Sequence, residues 1–441
     1  MTESTKDIPY GDSLPAHWKV VPLKYLVKLD NGYIFKPDDW SEAGIPILRI
    51  ENLNGSENYN FSTLELSKRY RVAAGDLLYS WSGNPGTSFG PFRWQKPGHF
   101  YLNQHIYKVH VHGCDPGWLF WALKAATHWI ERELTSGMIG MVHVTKDELG
   151  SVPIPIPSIE EQRRIAKFLD EETARIDDLV AKKRKISALF EERAQTVIDE
   201  TVQGTMLRAL DGRPMGIAGM KNVRLGAMAV VQSGFTMDAG RNSGADSVTL
   251  PYLRVANVLD GSLALQDIKE VTLPRSLAER CTLQTGDVLM TEGGDPDKLG
   301  RGTVWSGDLE PCLHQNAIFA VRPDSRLLPE YLALITRTRY ARSYFEMTAS
   351  KSTGIAHTSS TKITGFRIPM LAVSEQRRVV HLVTESLAKM EALREIADQQ
   401  VGLLTGRRQA LITAAVTGQF DVPTAGRVDT SGLPPVGGVL A

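Results

Sequence analysis

The sequence predicts an α+β protein with an internal repeat: two globular αβ domains separated by two long helices that pack on one another as a coiled coil. Three observations predict it. The chain of 441 residues aligns with itself: residues 140–204 match residues 354–418 without a gap at an offset of 214, with 17 of 65 positions identical. These matched segments carry apolar residues at heptad spacing, the mark of supercoiled helices. The parts upstream match only with drifting offsets, so insertions gather there and nowhere else.

The upstream match is carried by Gly32 and Gly234 at an offset of 202, and by Pro46, Arg49 and Asn52 with Pro251, Arg254 and Asn257 at 205. Gly75-Asp76, Gln104 and Leu123 pair with Gly286-Asp287, Gln315 and Leu334 at 211. The downstream match includes His143/His357, Ile154-Pro155/Ile368-Pro369, Gln195/Gln409 and the run Glu161-Gln162-Arg163-Arg164/Glu375-Gln376-Arg377-Arg378.

In chain order, residues 1–157 form the first globular domain. Short alternating or apolar runs predict strands over 45–50, 76–81 and 105–111, and a helix over 118–133. The loop 80–95 is rich in Gly, Ser, Asn and aromatic residues, the composition of binding loops on a rigid scaffold. Pro153, Pro155 and Pro157 mark an extended entry to the first long helix, 158–204. Ser158 caps it with Glu161 three residues on. Its a and d positions are Ile165, Leu169, Glu172, Ile176, Leu179, Lys183, Ile186, Phe190, Arg193 and Val197, seven of the ten apolar. Forty residues at about 1.5 Å each make a rod of about 60 Å.

A linker, 205–220, leads to the second globular domain, 221–371. Strands are predicted over 250–255, 287–291 and 317–321, a helix over 329–345, and a second polar loop over 291–303. The second long helix, 372–419, repeats the heptad with Val379, Val383, Ser386, Met390, Leu393, Ala397, Gln400, Leu404, Arg407 and Leu411. Gly402 and Gly406 weaken it locally. The most accessible partner for each stripe is the other copy in the same chain, held at high effective concentration. Residues 420–441 read as a flexible tail.

Composition narrows function. Lys plus Arg and Asp plus Glu are 50 each, so nucleic-acid contact requires a local basic face rather than a basic whole. Three cysteines, none in a Cys-x-x-Cys pair, suit a reducing cytosol and argue against a disulfide framework. No apolar signal region opens the sequence and no run of about 18 apolar residues spans a membrane. The P-loop lysine is missing from Ser82-Gly83-Asn84-Pro85-Gly86-Thr87, no glycine fingerprint stands between a strand and a helix, and no Asn-Pro-Pro-aromatic tetrad occurs. His110 and His112 near Cys114 lack a signalled further ligand, so no metal site is expected. Asp38-Asp39 and Asp295/Asp297 read as solvated loops rather than acid–base pairs.

The alternation of variable αβ segments with matched helices resembles the specificity subunits of type I restriction–modification systems. The local likeness rests on Leu14-Pro15-Ala16-His17-Trp18 with Leu23, the run Ile45-Pro46-Ile47-Leu48-Arg49-Ile50-Glu51-Asn52-Leu53, Gly75-Asp76-Leu77-Leu78, Pro155-Ile156-Pro157 leading to Glu161-Gln162-Arg163-Arg164-Ile165, and Val416-Thr417-Gly418. It covers about residues 10–422. The resemblance implies a cytoplasmic, non-catalytic subunit whose globular domains are target-recognition domains, each reading half of a split, asymmetric site in double-stranded DNA. The resemblance also implies that the helices pack as an antiparallel coiled coil, giving a pseudo-two-fold internal repeat, and that they set the gap and dock two modification (methyltransferase) subunits; restriction subunits can join. No cofactor is expected on this chain, with S-adenosylmethionine, ATP and Mg expected on the partners.

Base edges are read by Arg, Asn, Gln, Ser, Thr and Lys on loops. The candidates are Arg49, Asn52, Ser80, Arg93, Gln104, Thr145 and Lys146 in the first domain, and Arg254, Asn257, Lys298, Arg301, Gln315, Lys351, Ser352, Ser359 and Lys362 in the second. Arg49/Arg254 and Asn52/Asn257 recur in both halves, which points to structure or backbone contact. A second reading is a coiled-coil scaffold for partner proteins without DNA contact, which a salt-dependent shift of duplex DNA would exclude. A third, a stand-alone nuclease or methyltransferase, is disfavoured by the missing motifs.

Overall fold

In the computed structural model of the chain, residues 14–135, 141–202, 221–236, 246–294, 299–352 and 355–422 are described. The chain divides into two compact units, one running to Arg184 and resuming at Gln399, the other spanning Lys185–Asp398.

In the first unit a two-stranded ribbon pairs Lys19–Pro22 antiparallel with Pro153–Ile156. Above it, Val27–Asn31, Ile106–Val111, Leu77–Ser80 and Gly90–Arg93 make an antiparallel four-stranded sheet in that spatial order. Leu77–Ser80 is buried along its whole length, so it lacks the in–out alternation of a half-exposed strand. A second sheet orders Asn60–Ser62, Ile45–Leu48, Phe100–Leu102 and Arg71–Val72, with Ile45–Leu48 parallel to Phe100–Leu102. The helix Pro116–Thr135 lays Trp118, Leu119, Trp121, Ala122, Ala125 and Ala126 into the core, the i, i+3, i+4 set of one helical face.

The second unit repeats the plan. Lys221–Arg224 pairs with Arg367–Met370 at its base. Ala229–Ser233, Ile318–Pro323, Val288–Thr291 and Gly302–Val304 form the matching four-stranded sheet. Ser247–Leu253 lies between Lys269–Pro274 and Leu313–His314, parallel to the latter. The helix expected over 329–345 is two helices, Pro329–Thr336 and Arg339–Thr348. Thr338 breaks it: its hydroxyl accepts the Ala341 N–H at 3.1 Å and starts the second helix.

Two repeated details have the same cause in each unit. A Cβ built on Gly32 would stand 2.0 Å from the Asn103 carbonyl oxygen, and one on Gly234 2.0 Å from that of His314. The chain passes so close to a neighbouring backbone that only hydrogen fits. Gln162 and Gln376, buried at the start of the two long helices, staple those helices to backbone. Gln162 accepts the Asp115 N–H at 2.7 Å and donates to the Pro157 carbonyl at 2.9 Å. Gln376 accepts the Leu328 N–H at 2.8 Å and donates to the Arg326 and Leu371 carbonyls, each at 2.9 Å.

The long helices are Ile159–Val202 and Val373–Val416. Ser158 and Glu161 form the expected cap, the Ser158 N–H donating to the Glu161 carboxylate at 3.0 Å. Burial pushes that carboxyl up, but hydrogen bonds from His17 and Ser158 outweigh it and hold the group at about 2. Each unit contains the start of one long helix and the end of the other. In the first, Ile165, Leu169 and Ile176 share a core with Leu411, Ile412 and Ala415, and Arg408 meets Asp177 at 2.8 Å. In the second, Val197 and Ile198 share a core with Val379 and Val383. This is antiparallel pairing. The expected seam is not buried evenly: Leu179, Ile186 and Leu393 are exposed. A helix pair alone covers a seam residue from one side, whereas Ile165, Leu169, Val379 and Val383 also have a globular domain's core against them.

Gly402 sits mid-helix, and a Cβ added to it would meet nothing within 4 Å. Gly402→Ala is expected to stabilise the protein by about 1 kcal/mol. Denaturant unfolding checks this; unchanged or lower stability would show that backbone freedom is not what limits this stretch.

Candidate nucleic-acid interface

Most candidate side chains have already used their hydrogen bonds to build the domains. Arg49 and Asn52 cap one short helix, the Arg49 N–H donating to Asn52 Oδ1 at 2.9 Å. Asn52 is buried and donates to the Ser56 and Asn58 carbonyls. Arg254 and Asn257 repeat the arrangement, with Asn257 buried and donating to Ala264 and Asp267. Asn52 and Asn257 therefore hold their loops, with both side chains buried and bonded to backbone carbonyls. Arg49 keeps a half-exposed guanidinium that donates to Asn60 at 2.5 Å. Arg254 pairs with Asp267 at 2.7 Å and holds its carboxyl below the usual carboxylate range.

Ser80 is fully buried, its hydroxyl donating to the Ser82 carbonyl at 2.9 Å. Arg93 bonds Asp170 at 2.7 Å and the Gly117 carbonyl at 3.1 Å, with its guanidinium 4.2 Å from the Phe120 ring centroid. It fastens the domain to the first long helix. Both side chains thus have internal partners that polar type and loop position do not reveal. Thr145 and Ser359 are equivalent helix caps, accepting the N–H of Glu148 and Lys362. Lys146 reaches the Leu29 carbonyl at 2.8 Å, and Lys362 the Ser350 hydroxyl at 2.8 Å. Arg301 is half-buried beside the strand Gly302–Val304. Lys351 and Ser352 lie on the strand Ser350–Ser352. Lys298 lies outside the described residues.

Gln104 and Gln315 differ from the rest, and their pairing needs one correction. Asn103 N–H donates to the Leu48 carbonyl, and Gln315 N–H to that of Leu253, both at 3.1 Å. The bridges Tyr33↔Asn103 and Phe235↔Gln315 agree. The structural partner of Gln315 is thus Asn103, and that of Gln104 is Asn316. One extra residue in the second copy shifts the register, which identity matching across a single glutamine could not detect.

Asn103 and Gln104 line an open concavity of about 540 Å³ with Trp40, Arg49, Asn84 and Met141. Trp81, missed from the sequence, organises one side of it. Its indole N–H donates to the Gln104 carbonyl at 2.9 Å. Its ring lies 5.1 Å from His105, 6.2 Å from His143 and 6.0 Å from Tyr107 between centroids. Burial, with His143 nearby, lowers the pKa of His105, so the imidazole is neutral at neutral pH. The arrangement offers neutral amides, a neutral imidazole and an arginine beside aromatic surface, which suits polar recognition rather than acid–base catalysis. His110 pairs with Asp30 at 3.1 Å. Among the described residues no group of His, Cys, Asp and Glu has metal-holding geometry, and no helix is long and apolar enough to cross a membrane.

Comparison with known proteins places these features. Residues 15–187 match the family of type I restriction modification DNA specificity domains. The type I restriction enzyme StySPI specificity subunit of Salmonella potsdam is 21% identical over 426 residues, covering 92% of this chain and 90% of its own. The EcoKI specificity subunit of Escherichia coli K12 is 21% identical over 447 residues with the same coverage of each. A chain from a structure of type I R-M system complex assembly and conformational transition superposes with a TM-score of 0.69 at 17% identity, over 92% of this chain and 99% of that one. The HsdS subunit from Thermoanaerobacter tengcongensis gives 0.50 at 18% identity, over 94% and 100%. The fold is therefore shared along nearly the whole chain.

Proposed function

We propose that the chain is a type I restriction–modification specificity subunit, a reading supported by the match of residues 15–187 to that DNA specificity domain and by relatives covering 92% of the chain, and that it supplies the DNA sequence specificity of such a complex, each globular domain reading one half of a bipartite, asymmetric site. The observation that carries this is the duplication of one frame with different side chains on it. Trp81 and Glu292 hold the same backbone position, donating N–H to the carbonyls of His105 and Ala317. Shared geometry with altered polar groups is what two readers of two different sequences require. Arg49, Gln104, Lys146, Arg254, Lys298, Arg301, Gln315, Lys351, Ser352 and Lys362 are the candidate DNA contacts, the cations to phosphate and the amides to base edges.

The chain itself performs no chemistry in this reading and works in the cytoplasm. Two modification subunits dock on the paired helices, which set the gap between half-sites. Those subunits carry S-adenosylmethionine and methylate adenine. Restriction subunits with ATP and Mg complete the complex where they are present. The chain with duplex DNA and S-adenosylmethionine is expected to transfer no methyl group, and to gain transfer when its modification subunit is added. It should shift duplex DNA with an affinity that falls steeply as salt rises. Methyl transfer by the purified chain, or no salt-dependent shift with the partner present, would overturn this reading.

A further inference from the structure

Asn103 and Gln104 combine a rigid backbone with uncommitted side chains. The Asn103 N–H is bonded to Leu48, its carbonyl accepts the Ile106 N–H at 3.2 Å, and the Gln104 carbonyl accepts the Trp81 indole. The close passage of Gly32 fixes the same peptide from the other side. Neither side-chain amide makes a hydrogen bond among the described residues, and the Gln104 Oε1 is buried without a partner. A buried amide oxygen without a partner is costly unless something satisfies it. Turning this amide toward the concavity breaks no internal bond, unlike turning Arg49, Lys146 or Asn52. The second domain holds an amide pair at the same structural position in the opposite order, Gln315-Asn316, again with no side-chain hydrogen bond among the described residues.

We propose that Asn103 and Gln104 are the specificity-determining pair of the first domain and that they recognise an A·T base pair. A carboxamide presents one donor and one acceptor side by side, which matches adenine N7 and N6–H₂ in the major groove. Guanine offers two acceptors there and suits Arg49 instead. The apolar surface of Trp40 and Met141, both exposed at the rim of the same concavity, fits the thymine methyl group. The inference rests on the DNA-reading function proposed above and names the base pair that this site reads.

The test uses the full chain assembled with its modification subunit and a randomised duplex library. The half-site of the first domain is identified as the one that survives exchange of the second domain. The double substitution Asn103→Ala, Gln104→Ala is expected to lose roughly 5- to 150-fold discrimination at one A·T position of that half-site. The other half-site and the salt dependence should stay as they were. Gln104→Glu replaces the donor with a second acceptor at constant size and should reject the same adenine. Unchanged preference in the double variant overturns the proposal while the DNA-reading function stands, as does relaxation at a G·C position. Loss of folding in both variants would make the pair structural and overturn it as well. A native complex with no sequence preference would sink the underlying reading too.

Discussion

Exchanging Lys221–Met370 for the matching segment of a relative is expected to replace one half of the recognised sequence and leave the other half intact. The segment begins and ends on the paired strands Lys221–Arg224 and Arg367–Met370, where Lys221 faces Met370. Its two ends therefore meet, and a replacement with the same ribbon closes without straining the chain. A cut at Gly365 would separate Arg367–Met370 from its partner strand and should fail to fold. Docking to the second long helix also tolerates exchange, because Gln376 bonds to the backbone groups of Leu328 and Arg326 rather than to their side chains. Mapping of methylated sites reads the result. A change in both halves, or loss of assembly with the modification subunit, would show that the domains do not read independently.

Gly234→Ala is expected to cost about 3 kcal/mol or more, beyond the usual range for one added methyl group. The new Cβ would stand 2.0 Å from the His314 carbonyl oxygen and 2.5 Å from that of Gln315. Both are backbone atoms held by the parallel pairing of Tyr252–Leu253 with Leu313–His314, so neither yields as a flexible side chain would. For a unit of this size the loss corresponds to a melting point lower by roughly 6–12 °C. A fall of less than about 2 °C would show that the crossing relaxes freely. The opposite sign expected for Gly402→Ala separates a glycine required by close approach from one that only loosens a helix.

The duplication and the two long helices were legible because their signals are periodic and local. Seventeen identities at one offset, and apolar residues every three or four positions, survive without knowledge of any contact. The helix break at Thr338 was not legible: the sequence on either side keeps helical periodicity, and only the cap geometry shows where one helix ends. The uneven burial of the seam was hidden for a related reason. Leu179 and Leu393 satisfy the heptad as well as Ile165 and Val379 do, and only the presence or absence of a globular domain against them separates the two cases.

The sequence by itself determined which residue types each domain has available and that the frame carrying them comes twice. The tertiary structure alone decided which of them remain free to act. Ser80, Arg93 and Asn52 have the same hydrogen-bonding chemistry as a reader, yet their partners are Ser82, Asp170 and the Ser56–Asn58 turn. That of Arg93 lies 77 residues away in the chain. Hydrogen bonds are short-ranged and saturable, so a polar side chain satisfied inside the fold has little left for a base edge. Which amides stay unsatisfied depends on contacts between distant segments, and no local pattern encodes it.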